Sequence, residues 1–228
     1  MKRRISARRE AFRQFLQKDE SLSVLLVLLV LLVFVLPPIA PRDGPGGPLT
    51  AILFSFVLVA GVASVVRQKT WVVRLVAGVC LVALPLRWAA WVESGTTIAV
   101  WSAASETLAL AVLALVVLTM VLRPGSVTRH RIEGAIAAYL LLGLAWAGAY
   151  EWVALTNPAA FVGISVASGK QWIYYSLVTL TTMGYGDITP VAPVARSLAV
   201  AEALTGQLYV AILISRLVAL ELQGRQSK

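Results

Sequence analysis

A short string of residues, Thr181–Asp187, contains the residue types needed to hold a dehydrated cation. A cation that loses its water needs a substitute shell of oxygen atoms. Backbone carbonyls supply that shell only if successive residues point them to the same side. Glycine accepts left-handed backbone angles at little cost, so Gly184 and Gly186, each preceded by a larger residue, permit this arrangement. The hydroxyl of Thr182 adds one more oxygen, and the string therefore predicts a cation site built mainly from backbone oxygens.

The segment before this string predicts a short helix that points towards it. Ser168 and Gln171 have the spacing of a capping box, in which the two side chains bond free backbone N–H groups at a helix start. The helix is expected to cover residues 169–181. Its carbonyl end then faces the string, and the partial negative charge of that end favours a cation.

The composition is that of a membrane protein. The chain has 228 residues, of which 59% are hydrophobic and 14% charged, and the apolar residues lie in long blocks. A soluble domain of this length would need more polar residues to cover its surface. The single Cys80 and the single His130 cannot build a zinc-type cluster, and no catalytic pair or phosphate loop indicates an enzyme or a cofactor.

Charge-poor blocks of roughly the 20 residues needed to span a bilayer core predict an all-α membrane protein with six transmembrane helices. Between the last two blocks, the stretch Thr156–Pro193 is less apolar, and a re-entrant segment is expected there. The first block is followed by Pro37 and Pro38 rather than a cleavage site, so it is expected to be retained. The blocks are Ser21–Leu36, Leu49–Val66, Trp71–Val92, Thr96–Leu122, Gly134–Leu155 and Ser197–Leu222.

Basic residues set the expected orientation. The net charge is +9, and most Lys and Arg side chains lie at the two ends of the chain and in the second and fourth connections. By the positive-inside rule both termini are cytoplasmic, in a plasma (inner) membrane, and the charge requires no nucleic acid. Residues 1–20 form either a helix lying on anionic lipid or a basic cluster without regular structure.

With these features the chain resembles the six-transmembrane potassium channel family, most specifically from Glu133 to Leu222. The string matches the family's selectivity filter, and the short helix its pore helix. The resemblance implies a homotetramer around one pore that passes potassium, with membrane lipids as its other partners. Further matches are Glu151 at the outer end of the fifth helix, Tyr174 and Tyr175 where many members have two tryptophans, and Gly206 at the hinge of the sixth helix.

The resemblance assigns a role to each residue of the string. It implies that potassium is coordinated by the carbonyls of Thr182, Met183, Gly184 and Tyr185 and by the Thr182 hydroxyl. It further implies that the filter is supported by Tyr175, Thr181, Gly186, Asp187 and Glu151, with Tyr175 and Tyr185 in an aromatic belt. Met183 stands where the family usually has Val or Ile, and its flexible side chain packs less definitely.

The sixth helix contains residues whose roles stay open. Gln207, Val210 and Ile214 follow Gly206 at helical spacing and either line the cavity or pack against other helices. Glu202 is either a structural hydrogen-bond acceptor or a proton-sensitive control on the filter, because a charge inside a membrane is costly.

The expected domains are a basic segment (1–20), a four-helix domain (21–122), a pore domain (132–222) and a tail (223–228). Within the pore domain, the filter covers residues 182–186 and the inner helix residues 194–222. The fourth block has Glu106 but no Arg or Lys, so the four-helix domain is not expected to be a conventional voltage sensor. Arg74 and Arg87, near the ends of the third block, are expected to reach the membrane interface.

One alternative from a different functional class stays open. A non-conducting membrane scaffold or sensor could use the pore fold for assembly. Such a protein would tolerate a broken filter, whereas every filter position needed for coordination is present in this sequence.

Overall fold

The computed structural model describes residues 20–39, 48–66, 68–93, 95–123, 128–164 and 169–226. Within this part of the chain, six helices are long and apolar enough to cross a membrane, so the expectation of a mostly helical chain with six such helices is confirmed. Residues 1–19 and Ser168 of the expected capping box lie outside the described residues. The helices are α1 (20–39), α2 (Pro48–Val65), α3 (Thr70–Val92), α4 (Thr96–Val121), α5 (Arg129–Thr156), α6 (Gly169–Leu180) and α7 (Pro193–Gln226).

Prolines determine how two of the helices begin or end. In α1 the turn Leu31–Val35 is a π-helix, and the N–H of Leu36 bonds the carbonyl of Leu31, five residues back. Pro37 follows and has no N–H with which to continue the α-helical pattern, which accounts for a rearranged turn at this place. In α7 a proline, Pro193, occupies the first position, where a missing N–H costs nothing.

Helix α5 lies between the first four helices and the rest of the chain. The connection from α4 to α5 is short, which places the two helices side by side. They make extensive contact with each other. More than half of the α5 span, 56%, is buried, against 17% of the α7 span. Helices α1, α4, α6 and α7 all contact α5.

A two-stranded antiparallel sheet closes the segment between α5 and α7. Strand β1 (Phe161–Val162) pairs with the antiparallel strand β2 (Thr189–Pro190). The chain leaves β1, forms α6 and returns through the Thr181–Asp187 string to β2. An aromatic cluster packs α6 against α5 and β1: the Tyr175 ring lies 4.8 Å from the Tyr150 ring of α5, and the Trp172 ring lies 5.0 Å from the Phe161 ring of β1.

Candidate functional site

The backbone of the string alternates between left-handed and ordinary angles. The φ angles are +58° at Thr182, +56° at Gly184 and +80° at Gly186. Glycine accepts such angles readily, whereas threonine does so at a cost of roughly 1–2 kcal/mol. Because alternate residues take the left-handed conformation, successive peptide groups can present their carbonyl oxygens on the same side.

The N–H groups of the string are used by the last turn of α6. Thr181 donates to the Leu177 carbonyl over 3.0 Å, and Thr182 donates to the Thr179 carbonyl over 2.9 Å. The N–H groups of Met183 and Gly184 both point to the Val178 carbonyl, at 2.9 and 3.3 Å. A helix end normally leaves its last four carbonyls without partners. Here the string bonds those of Leu177, Val178 and Thr179, and the Tyr139 hydroxyl donates to that of Leu180.

The side chains of the string are open to solvent in the single chain. Met183 is 57% exposed and Tyr185 is 66% exposed, although both are large and apolar or aromatic. Tyr185 therefore lies outside the aromatic cluster, whereas Tyr175 is buried within it. Within a single chain, the rings of Tyr175 and Tyr185, which were expected to form an aromatic belt, do not pack against each other.

Asp187 is connected to the middle of α6. The hydroxyl of Tyr174 hydrogen-bonds the Asp187 carboxylate, and this bond, together with the carboxylate's negative charge, raises the pKa of Tyr174. Tyr174 therefore links α6 to the far end of the string. Of the two adjacent tyrosines, Tyr175 packs against α5 and Tyr174 bonds the string.

Helix α7 contacts the near end of the string through two adjacent residues. A Cβ atom added to Gly206 would lie 1.9 Å from the carbonyl oxygen of Leu180, the last residue of α6. The Gln207 amide donates a hydrogen bond to the Thr182 hydroxyl over 3.1 Å. Val210 and Ile214, farther along the helix, are exposed in the single chain. The hinge role of Gly206 stays a prediction.

Glu202 is fully buried behind α6 in a cluster of hydroxyl groups. Its Oε2 accepts a hydrogen bond from the Tyr150 hydroxyl over 2.5 Å, and its Oε1 lies 2.5 Å from the Ser176 hydroxyl. The same Ser176 hydroxyl lies 2.6 Å from the Gly143 carbonyl oxygen. The cluster joins α5, α6 and α7 at one point.

Arg87, which was expected to reach the membrane interface, pairs with a carboxylate on a neighbouring helix. Its guanidinium lies 3.4 Å from the Glu106 carboxylate on α4, and both side chains are largely buried. Without Arg87, Glu106 would be a buried charge with neither water nor a cation beside it. The ion pair compensates for the water that both side chains lack. Arg74, at the other end of α3, is exposed.

The Arg87–Glu106 pair lies beside a cavity of about 80 Å³ between the four-helix part and the α5–α6 part. Glu151 of α5 and Lys170 and Trp172 of α6 also line this cavity. Glu151 thus faces the charged pair of α3 and α4 as well as the start of α6.

Sequence reasoning missed one backbone conformation and two hydrogen-bond partners in the site. Thr182 was expected to supply oxygens but not to adopt a left-handed angle, which its residue type disfavours. Tyr150 and Ser176 were not expected to be the partners of Glu202. Their polar groups inside otherwise apolar helices were the available signal, since buried polar groups need partners.

Comparison with known proteins gives a partial match. The model of the family described as "Ion channel" matches residues 138–222, from the middle of α5 to the end part of α7. This region has the character of an ion channel domain. It contains the string, the helix that points to it and the Glu202 cluster. Within the described residues, no group of three His, Cys, Asp or Glu side chains could hold a metal ion.

Two curated proteins are similar to part of the chain. Protein LctB of Geobacillus stearothermophilus is 37% identical over 62 residues, which are 27% of this chain and 46% of that protein. Protein LctB of Bacillus caldotenax is 33% identical over 87 residues, 35% of this chain and 64% of that protein. The chain thus spans about half to two thirds of the length of these relatives. No solved structure matches the chain significantly.

Proposed function

We propose that the protein is a potassium-selective channel that conducts passively through a pore at the centre of a homotetramer. The observation that carries this proposal is the use of backbone groups in the string. Its first N–H groups bond the end of α6, and left-handed angles alternate at Thr182, Gly184 and Gly186. The carbonyl oxygens are thereby left available to replace the hydration shell of a cation.

Potassium is favoured over sodium and divalent ions by the chemistry of the string. Thr182, Met183, Gly184 and Tyr185 offer four layers of backbone carbonyls and one hydroxyl, without an acidic side chain. Potassium filters are rings of such carbonyls, whereas rings of acidic side chains serve other cation channels. The carboxylate of Asp187 lies beyond these four residues and bonds Tyr174.

Four subunits are needed because one chain supplies one wall of a pore. The string is exposed in the single chain, and so are several large apolar residues on α7. The low burial of α7, 17% against 56% for α5, supports its contact with other subunits. The exposed residues of α7 include Val200, Leu204, Leu208, Val210 and Ile214.

The proposal includes an orientation in a plasma (inner) membrane. Both termini would be cytoplasmic, with anionic lipid near residues 1–20 and the β1–β2 sheet on the outer side. Potassium is the permeant ion rather than a cofactor. A non-conducting scaffold that uses the pore fold for assembly is the alternative.

The experiment is potassium flux into liposomes containing purified protein, with native mass spectrometry of the same sample. The proposal predicts a tetramer and a flux that protein-free liposomes lack. A tetramer that passes no potassium under any membrane potential tested would support the scaffold. A protein that stays monomeric in the bilayer would contradict the tetrameric pore.

A further inference from the structure

The hydroxyl of Ser176 has two oxygen neighbours but only one hydrogen. It lies 2.6 Å from the Gly143 carbonyl oxygen and 2.5 Å from Oε1 of Glu202. A carbonyl oxygen can only accept, and so can an ionised carboxylate. If Glu202 were ionised, one of these two close oxygen pairs would have no hydrogen between its members. Two oxygens at such a distance without a hydrogen repel each other.

A proton on Glu202 removes this conflict. Oε1–H then donates to the Ser176 oxygen, Ser176 donates to the Gly143 carbonyl, and Oε2 accepts from the Tyr150 hydroxyl. In this hydrogen-bond chain, Tyr150–Glu202–Ser176–Gly143, each donated hydrogen has one acceptor. Each of these oxygen pairs is 2.5–2.6 Å apart, within the range of O–H···O hydrogen bonds.

The surroundings of Glu202 agree with a neutral group. Glu202 is 0% exposed, and among the described residues no basic side chain pairs with it. The groups facing it are hydroxyls, from Tyr150 on α5 and Ser176 on α6. The hydroxyls of Tyr175 on α6 and Tyr139 on α5 are also close enough to interact with a charge on it. A buried carboxylate without a cation is costly, whereas the neutral acid has all its hydrogen bonds made.

We propose that Glu202 is a neutral carboxylic acid whose proton locks α6 between α5 and α7, making it a positioning residue for the string. The link is direct, because Ser176 lies on α6 and the end of α6 bonds the string through Leu177, Val178 and Thr179. Glu202 is 26 residues from Ser176 and 52 residues from Tyr150 in sequence, so it joins three separate helices. This inference depends on the proposed function only for its effect on the flux.

The direct test is infrared spectroscopy of the full chain, comparing wild type with Glu202→Gln. The difference spectrum is expected to contain the carbonyl band of a protonated carboxylic acid that is present in the wild type and absent in the variant. Glu93→Gln is the matched control, because Glu93 is exposed at the end of α3 and its loss should remove carboxylate bands instead. Carboxylate bands in the Glu202→Gln difference spectrum would overturn the inference.

Tyr150→Phe gives a second readout that keeps Glu202 itself. It removes the hydrogen bond accepted by Oε2, so the acid carbonyl band should move to higher frequency. An unshifted band would contradict the proposed hydrogen-bond chain.

Flux measurements test the positioning role. The side-chain amide introduced by Glu202→Gln can donate to Ser176 and accept from Tyr150, so this variant should keep at least half of the potassium flux. Glu202→Ala should lower the flux at least tenfold, and equal losses in both variants would overturn the role. A wild type with the acid band but without flux would contradict the proposed function and leave the protonation intact.

Discussion

Gly206 of α7 lies directly against the carbonyl of Leu180 at the end of α6. A Cβ atom at position 206 would be 1.9 Å from the Leu180 oxygen and 2.9 Å from its carbonyl carbon. Both are backbone atoms, so no side-chain rotation can relieve the overlap. The absence of a side chain at position 206 is therefore what allows α7 to approach the start of the string.

We predict that Gly206→Ala displaces the end of α6 and abolishes potassium flux. The melting temperature of the purified protein should fall, because backbone atoms must shift to admit the methyl group. Gly78→Ala on α3 is the matched control, since a Cβ there meets nothing within 4 Å. That control should stay within roughly 1 kcal/mol of wild type or gain stability, because alanine favours a helix over glycine. Equal flux and equal melting temperatures in the two variants would show that the close approach of Gly206 to the Leu180 carbonyl has no role.

Gly184→Ala should abolish the flux through a different mechanism. A Cβ at position 184 meets nothing within 4 Å, so the cost comes from its φ of +56°, about 1–2 kcal/mol in each subunit. The tetramer should still form, because helix packing is untouched. D-Alanine introduced at the same position by semisynthesis accepts this angle and should restore the flux. Full flux with L-alanine would show that the string is not the filter.

The sequence was sufficient to predict the six long apolar helices and the short helix before the string. Long apolar blocks specify six spanning helices by length and composition, and glycine spacing marks the string. The sequence was not sufficient to predict contacts between helices that are distant along the chain. The bond from Gln207 to Thr182 and the pair of Arg87 with Glu106 depend on how the helices rotate against one another. Inside a uniformly apolar block, periodicity carries little information about that rotation.

The Arg87–Glu106 ion pair should be essential to the four-helix part. Removing either partner leaves a buried charge, so Arg87→Met or Glu106→Gln should lower the free energy of unfolding by about 3 kcal/mol. The double variant should be less destabilised than the sum of the two single variants. Arg74→Gln, at an exposed position of the same helix, is the control and should change little. Additive single effects would contradict a direct pair.

The first four helices should carry no steep voltage sensor. Each elementary charge moved through the field contributes about 2.3 kcal/mol per 100 mV, and steep gating needs roughly 3–4 charges per subunit. Helix α4 has no Arg or Lys, and Arg87 is held in its ion pair with Glu106. Gating currents recorded without permeant ions should therefore be absent or a small fraction of one charge. Several charges per subunit would contradict this expectation.

The most direct test of a potassium-selective pore is the reversal potential of purified protein in a planar bilayer with potassium on one side and sodium on the other. The carbonyl shell offered by Thr182, Met183, Gly184 and Tyr185 predicts a reversal potential displaced strongly towards the potassium equilibrium potential. Gly184→Ala should show no current in the same bilayer. A wild-type current that reverses at zero, with equal permeability for the two ions, would contradict the proposed function.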